Sequence, residues 1–232
     1  MSAHDQFINS KLASEDLLKN GLADRLRAEI VGGSLAPGER IVERIWAQKY
    51  GVAQASIREA INILEKNGFV IKQPGQTAQV IHLTDTDIAQ IYQVRAALEG
   101  MAAYLAASST CDVSELRAIV GNMRKATAEN NPDEMVDCDL KFHLELCRLA
   151  GNPHLIDHAV RILLPFFAFF RLRVVASGRG IATWDRDVDA HHRIVDLIEE
   201  GEAALAEHYV RAAMGRFAGT AQKNWMPRES AP

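Results

Sequence analysis

The chain has 232 residues, of which 48% are hydrophobic and 24% charged, with a net charge of -4. That composition suits one large or two modest folded domains and excludes a disordered or low-complexity chain. The charge is unevenly divided: residues 1–80 hold 10 Lys/Arg against 9 Asp/Glu, and residues 81–232 hold 16 against 21, so any nucleic-acid contact must come from placed basic residues rather than bulk charge.

Residues 1–14 are expected to form a flexible arm. Leu18, Leu22, Leu26 and Ile30 then recur at helical spacing, and Gly32-Gly33 ends that helix. Leu35 to Arg40 reads as a turn leading into a very short strand at Ile41-Val42. Glu43 to Tyr50 is a short helix with Ile45 and Ala47 available for packing, and Gly51 breaks it. Ser56 to Asn67 is a longer helix with Ile57, Ala60, Ile61 and Leu64 inward. Phe69 to Ile71 and Ala78 to Ile81 can pair as strands around Lys72-Gln73-Pro74-Gly75-Gln76.

A break at His82 to Thr84 marks the expected domain boundary. Thr84 or Asp85 can cap a helix reaching Ala107, with an apolar stripe of Ile88, Ile91, Val94, Leu98, Met101 and Leu105. Further helices are expected from Val113 to Glu129, Pro132 to Gly151, Pro153 to Val175, Thr183 or Asp185 to Gly201, and Glu202 to Gly219, with a loop at Gly178 and Gly180. Residues 223–232 are expected to be a flexible tail. The most apolar stretch, Val160 to Ala176, contains Arg161, Pro165, Arg171 and Arg173 and reads as a buried helix rather than a membrane span. Cys111, Cys138 and Cys147 have no metal or redox spacing, and the first residues lack a leader pattern, so reduced thiols and a cytoplasmic location are expected.

The fold class expected is therefore mainly α: an N-terminal winged helix-turn-helix over 15–81 and a C-terminal all-helical bundle over 84–222. A helix-turn-helix reads DNA with residues at the start of its second helix. Gln54 suits a bidentate contact with adenine, Ser56 a base or phosphate, and Arg58 a phosphate or guanine. Arg40, Arg44 and Lys49 precede that helix and could clamp the backbone, and Lys72 could serve the wing. The same pattern also fits a winged protein-interaction scaffold.

In the helical half, Asp139 and His143 stand four residues apart on one helix face. With His191 or His192 from one later helix, or His208 from another, they could hold Zn, Ni or Mn and leave positions open for a ligand carboxylate. By itself the pair reads more readily as a packed histidine held by its own carboxylate. Arg95 could bind the same carboxylate in bidentate fashion. Phe166 and Phe170 could form an apolar pocket wall, and Arg171 could reach a ligand. A metal with an open position also leaves a small hydrolase as an alternative.

Leu35-Ala36-Pro37-Gly38-Glu39-Arg40-Ile41, Gly51-Val52, Ile57-Arg58-Glu59-Ala60, Leu64-Glu65 and Gly68-Phe69-Val70 together resemble the N-terminal domain of the GntR family of bacterial transcription regulators. Val94-Arg95, Leu98-Glu99, Asp139-xx-Phe142-His143, Gly151-Asn152-Pro153 and the His191 helix resemble the FCD effector domain of its FadR-like branch. The resemblance implies a non-enzymatic, homodimeric, metabolite-responsive repressor that binds double-stranded operator DNA and senses a small organic acid. It also implies Arg40, Gln54 and Arg58 as DNA contacts and Asp139, His143 and His191 as metal ligands. The chain departs from the family at Gln54, where arginine is usual, and at Ser56, where proline is usual. A fourth histidine is usual near Ala213. His208 stands five residues earlier, about 140° around a helix from that face.

Overall fold

Leu22, Leu26 and Ile30 lie one helical turn apart, and the helix over residues 20–31 (α1) buries all three. The computed structural model describes residues 20–73, 75–177 and 184–225. The arm expected over 1–14, Pro74 in the wing, the loop around Gly178 and Gly180, and the last residues of the expected tail lie outside the described residues. The chain divides into two compact units that part between His82 and Leu83.

In the first unit α2 (Glu43–Tyr50) ends at Gly51, which takes the left-handed conformation at φ 67°. That single residue turns the chain into α3 (Gln54–Lys66), which buries Ile57, Ala60, Ile61 and Leu64. Strands β1 (Val70–Ile71) and β2 (Gln79–Val80) pair antiparallel, with Val70 opposite Val80. Main-chain bonds from Ile81 to Phe69 and from Ile41 to Ala78 extend the pairing on both sides of β2.

Three local expectations are corrected. The recognition helix starts two residues before Ser56, at Gln54. The strand expected at Ile41-Val42 is a single bridge between Arg40 and Gln79. Ile45 is 54% exposed, and Trp46 with Ala47 supplies the buried face of α2. Trp46 packs edge-on against Tyr50.

The second unit is made of helices α4 (Asp85–Ala107), α5 (Ser114–Ala128), α6 (Pro132–Leu149), α7 (Pro153–Ser177), α8 (Trp184–Glu199) and α9 (Ala203–Trp225). The last of these runs past the expected start of the tail at 223. Helix starts follow local chemistry. Thr84 and Asp87 form a capping box on α4, and Asn131 caps α6 ahead of Pro132. Gly151 turns at φ 63°, and the Asn152 side chain then accepts from the amides of His154 and Leu155 at the start of α7.

Helix α4 packs along α9 and also touches α6, α7 and α8. Its buried face is Ile88, Tyr92, Arg95, Glu99, Ala102, Ala103 and Ala106, so of the expected apolar stripe only Ile88 is buried. Val94 and Met101 of that stripe are 45% and 44% exposed. Small residues are what the close packing needs: a Cβ on Gly100 would lie 2.9 Å from the Arg211 side chain. Among the described residues no helix is long and apolar enough to cross a membrane.

Candidate functional site

In the first unit the exposed start of α3 carries Gln54 and Arg58 one turn apart. Ala53, at the N-cap, offers no side-chain cap, so the first amides of α3 are left for another acceptor. One carboxylate gathers the two side chains. Glu43, in the first turn of α2, accepts from Gln54 Nε2 at 3.0 Å and from Arg58 Nε at 3.0 Å and Nη2 at 2.8 Å. The Arg58 hydrogen bond is the main reason the Glu43 carboxyl sits below its usual range, with Gln54 adding to it. The sequence reading missed Glu43, because only the packing of α2 against α3 brings it to them.

The other basic candidates differ in placement. Arg40 and Arg44 are exposed and Ser56 is half-buried. Lys49 points back to α1, donating to Glu29 at 2.7 Å and lying over the Trp46 ring at 4.1 Å. Lys72 donates to Asn62 and so ties the wing to α3.

In the second unit α6 presents Asp139 and His143 on one face, and α8 brings His191 to them. The Asp139 Oδ1 atom lies 3.1 Å from His143 Nε2 and 3.1 Å from His191 Nε2. Both histidines are 3% exposed. Their far sides are also engaged. His191 Nδ1 is 2.5 Å from the Asp187 carbonyl oxygen, and Glu99 Oε2 presses against His143 Nδ1. A carbonyl can only accept, so His191 carries its proton on Nδ1.

Burial would raise the Asp139 pKa, but the two imidazoles outweigh it and hold the carboxyl well below the carboxylate range. Burial works against a charged His143 too, yet Glu99 chiefly, and Asp139 with it, leaves that ring with a raised pKa.

These contacts fit a cation. Asp139 Oδ1 is buried, and no aligned donor is directed at it. With Nδ1 protonated, a neutral imidazole turns a lone pair toward that oxygen, an arrangement that needs a proton or metal ion between the atoms. Two ligand atoms about 2.1 Å from one ion stand roughly 3.0–3.4 Å apart in octahedral or tetrahedral geometry, in line with the observed spacing. Asp139, His143 and His191 each offer a ligand atom within 4.8 Å of the others, and among the described residues this is the only such cluster. His208 lies on the exposed side of α9 and Ala213 is fully buried, so among the described residues no fourth histidine completes the set.

The other candidates separate. Arg95 reaches the centre: it is 3% exposed, donates from Nε to Glu99 Oε1 at 2.7 Å, and lies among the rings of Tyr92, Phe166 and Phe167 at 5.1, 4.9 and 5.1 Å. Phe166 is buried, and half-buried Phe170 stacks on it with 5.9 Å between ring centroids. Arg171 does not join them. It pairs with Asp133 at 3.0 Å and Asp137 at 2.7 Å, on the side of α6 away from Asp139. Tyr92, Glu99 and Phe142 line the centre and were not chosen from sequence, and Phe167 stands with them 5.7 Å from the His143 ring. Phe142 lies 4.5 Å from His191, and its place beside His143 was the available signal.

A winged helix-turn-helix joined to a helical sensing unit defines a DNA-binding transcription regulator. The gntR family of bacterial regulatory proteins matches residues 18–80, and the FCD domain matches residues 90–216. An uncharacterized HTH-type transcriptional regulator of Bacillus subtilis (strain 168), YdhC, is 32% identical over 196 residues, covering 82% of this chain and 84% of its own. The gluconate operon transcriptional repressor of the same organism is 26% identical over 188 residues, covering 79% and 76%. The solved structure of E. coli McbR/YncC shares the fold, with a TM-score of 0.72 at 17% identity over 90% of this chain and 99% of that one. The chain belongs to the GntR family of transcription regulators, with an FCD effector domain. It is a DNA-binding, metabolite-responsive transcription regulator.

Proposed function

We propose that this regulator is a homodimeric, cytoplasmic repressor of an operon whose operator it releases when a small organic acid binds beside Asp139, His143 and His191. The observation that carries the reading is the convergence of Asp139 Oδ1 and two imidazole Nε2 atoms in a buried centre that also holds Arg95. A divalent ion such as Zn, Ni or Mn held by the three residues would supply a Lewis acid with positions open to a carboxylate. Arg95 adds a fixed positive charge, and the Phe166 and Phe167 rings exclude water around it. The gluconate operon relative supports a sugar acid or similar carboxylate as the class of effector.

At the DNA-reading end, Gln54, Ser56 and Arg58 are assigned to base and phosphate contacts, with Arg40 and Arg44 on the backbone. Lys49 and Lys72 hold the reading head together through Glu29 and Asn62. Two heads in a two-fold dimer match the two halves of a pseudopalindrome. The effector acts by binding one placement of the heads better than the other, since only differential affinity can shift such an equilibrium.

Protein purified without chelators should contain stoichiometric divalent metal, and His143→Ala should lose it. No metal in the wild type sinks the cation reading. An organic acid that raises the melting temperature only with metal present, and that weakens operator binding by fluorescence polarisation, supports the repressor reading. Stabilisation with unchanged DNA affinity defeats it.

A further inference from the structure

Glu99 is a fully buried carboxylate that neither reads DNA nor joins the three-ligand cluster. We propose that Glu99 is a positioning residue for His143: its carboxylate keeps the ring proton on Nδ1 and leaves the Nε2 lone pair turned toward Asp139. This rests on reading Asp139, His143 and His191 as divalent-cation ligands.

The two oxygens of Glu99 have separate partners. Oε1 accepts from Arg95 Nε at 2.7 Å, and Oε2 lies against His143 Nδ1. The Oε2 contact is an ion-pair contact, not an aligned hydrogen bond. An ionised carboxylate against a lone-pair nitrogen is repulsive and against N–H it is attractive; Asp139 draws the proton toward Nε2 in the same way, but its oxygen is 3.1 Å away and shared with His191, whereas Glu99 Oε2 presses closer on Nδ1. Arg95 also fixes the carboxylate, because its guanidinium is set among the Tyr92, Phe166 and Phe167 rings and has little freedom to turn.

The two histidines get their far-side acceptors differently. His191 uses the Asp187 carbonyl of its own helix, four residues back. His143, on α6, depends on a side chain from α4. The orientation of one ligand is therefore tied to the packing of the helix that carries Arg95. A metal-bound histidine usually donates its other N–H to such a partner, and losing the partner weakens metal binding roughly 10–100-fold.

The test is Glu99→Gln. With Arg95 Nε–H fixed in place, the amide oxygen faces Arg95 and the NH2 group faces His143 Nδ1. That donor requires a lone pair on Nδ1, so the ring proton moves to Nε2, where it blocks the cation. Nitrogen-15 NMR of the histidine rings, in metal-free protein above the pH at which His143 sheds its second proton, should show Nδ1–H in the wild type. It should show Nε2–H at His143 in the variant, with His191 unchanged. Zinc affinity, measured against a chromophoric chelator, should fall roughly 10–100-fold at an unaltered winged-helix fold.

A wild-type His143 carrying its proton on Nε2 overturns the proposal, as does a variant that keeps both the Nδ1 proton and the wild-type affinity. If Glu99→Gln does not fold, the wild-type spectrum decides alone. If the wild type takes up no zinc, the cation reading fails, and the tautomer spectra, which need no metal, still decide the role of Glu99.

Discussion

Glu43 concentrates the chemistry of the DNA-reading head in one carboxylate, holding Gln54 and Arg58 through four hydrogen bonds of 2.8–3.2 Å. The Arg58 and Glu43 side chains are 55% and 23% exposed, so solvent screens the pair and it adds little stability. Its larger effect is on orientation, since it sets two long side chains in register at the start of α3. A carboxylate there also repels phosphate. Glu43→Gln should therefore tighten binding to random duplex while shrinking the ratio of specific to random affinity. Gln54→Ala should relax base preference more than it lowers nonspecific binding, and Arg58→Ala should weaken both by about tenfold. Fluorescence polarisation with a selected operator and a scrambled duplex at one salt concentration measures this. Equal losses on both duplexes for Gln54→Ala would remove its base-reading role.

At the scale of elements, what was legible in the sequence follows from how local each signal is. Thr84, Asn131 with Pro132, and Gly151-Asn152-Pro153 act within a few residues, and each helix starts where they place it. Asp139 and His143 were legible for the same reason, being four apart on one helix. Helix α4 was misread because its buried face carries Arg95 and Glu99 among alanines. Polar residues stand at the core while Ile91, Leu98 and Leu105 are only half-buried and Val94 and Met101 exposed, which reverses the usual pattern. Glu43 and Glu99 depend on contacts between helices, which spacing cannot supply. The misread stripe is itself a clue. It recurs at three- and four-residue intervals, as a helix-packing seam does, and no charged residue interrupts it. For the proposed dimer, this face of α4 is the predicted seam. Val94→Asp with Met101→Asp should give a monomer by light scattering, with helical content retained and operator affinity lowered by at least tenfold. A variant that remains dimeric would move the interface elsewhere.

Across the whole molecule, buried charge is unevenly shared. Among the described residues the buried charged and histidine groups are Arg95, Glu99, His143 and His191, all in the second unit. That unit should therefore carry most of the pH dependence of stability. Burial would raise the pKa of Glu99, but Arg95, followed by His143, brings it from 4.5 down to about 2, and Asp139 is lowered in the same sense. A depressed carboxyl pKa stabilises the fold above its unfolded value, and that stability is lost as pH falls toward the folded value. Asp187 works the other way: burial, with Asp139 next, raises it from 3.8 to about 6, so its contribution is present at low pH and is lost as pH rises between those values. His143, also raised, adds to the loss on the alkaline side. The metal-free effector unit should then be most stable near pH 5, a little above the unfolded carboxyl values, and weaken in both directions. The surface pairs of the winged-helix unit, Glu29 with Lys49 and Glu43 with Arg58, are exposed enough for solvent to screen them, so that unit should respond less. Melting curves from pH 3 to 8 in a chelator, with hydrogen exchange to separate the units, test this. A common shift of both units would contradict it. Protons and a divalent ion compete for the same imidazoles. Added zinc should therefore stabilise the effector unit little at pH 5 and most above pH 7, moving its optimum to the alkaline side. An optimum left at pH 5 under saturating zinc would mean that the ion and the protons do not share Asp139, His143 and His191.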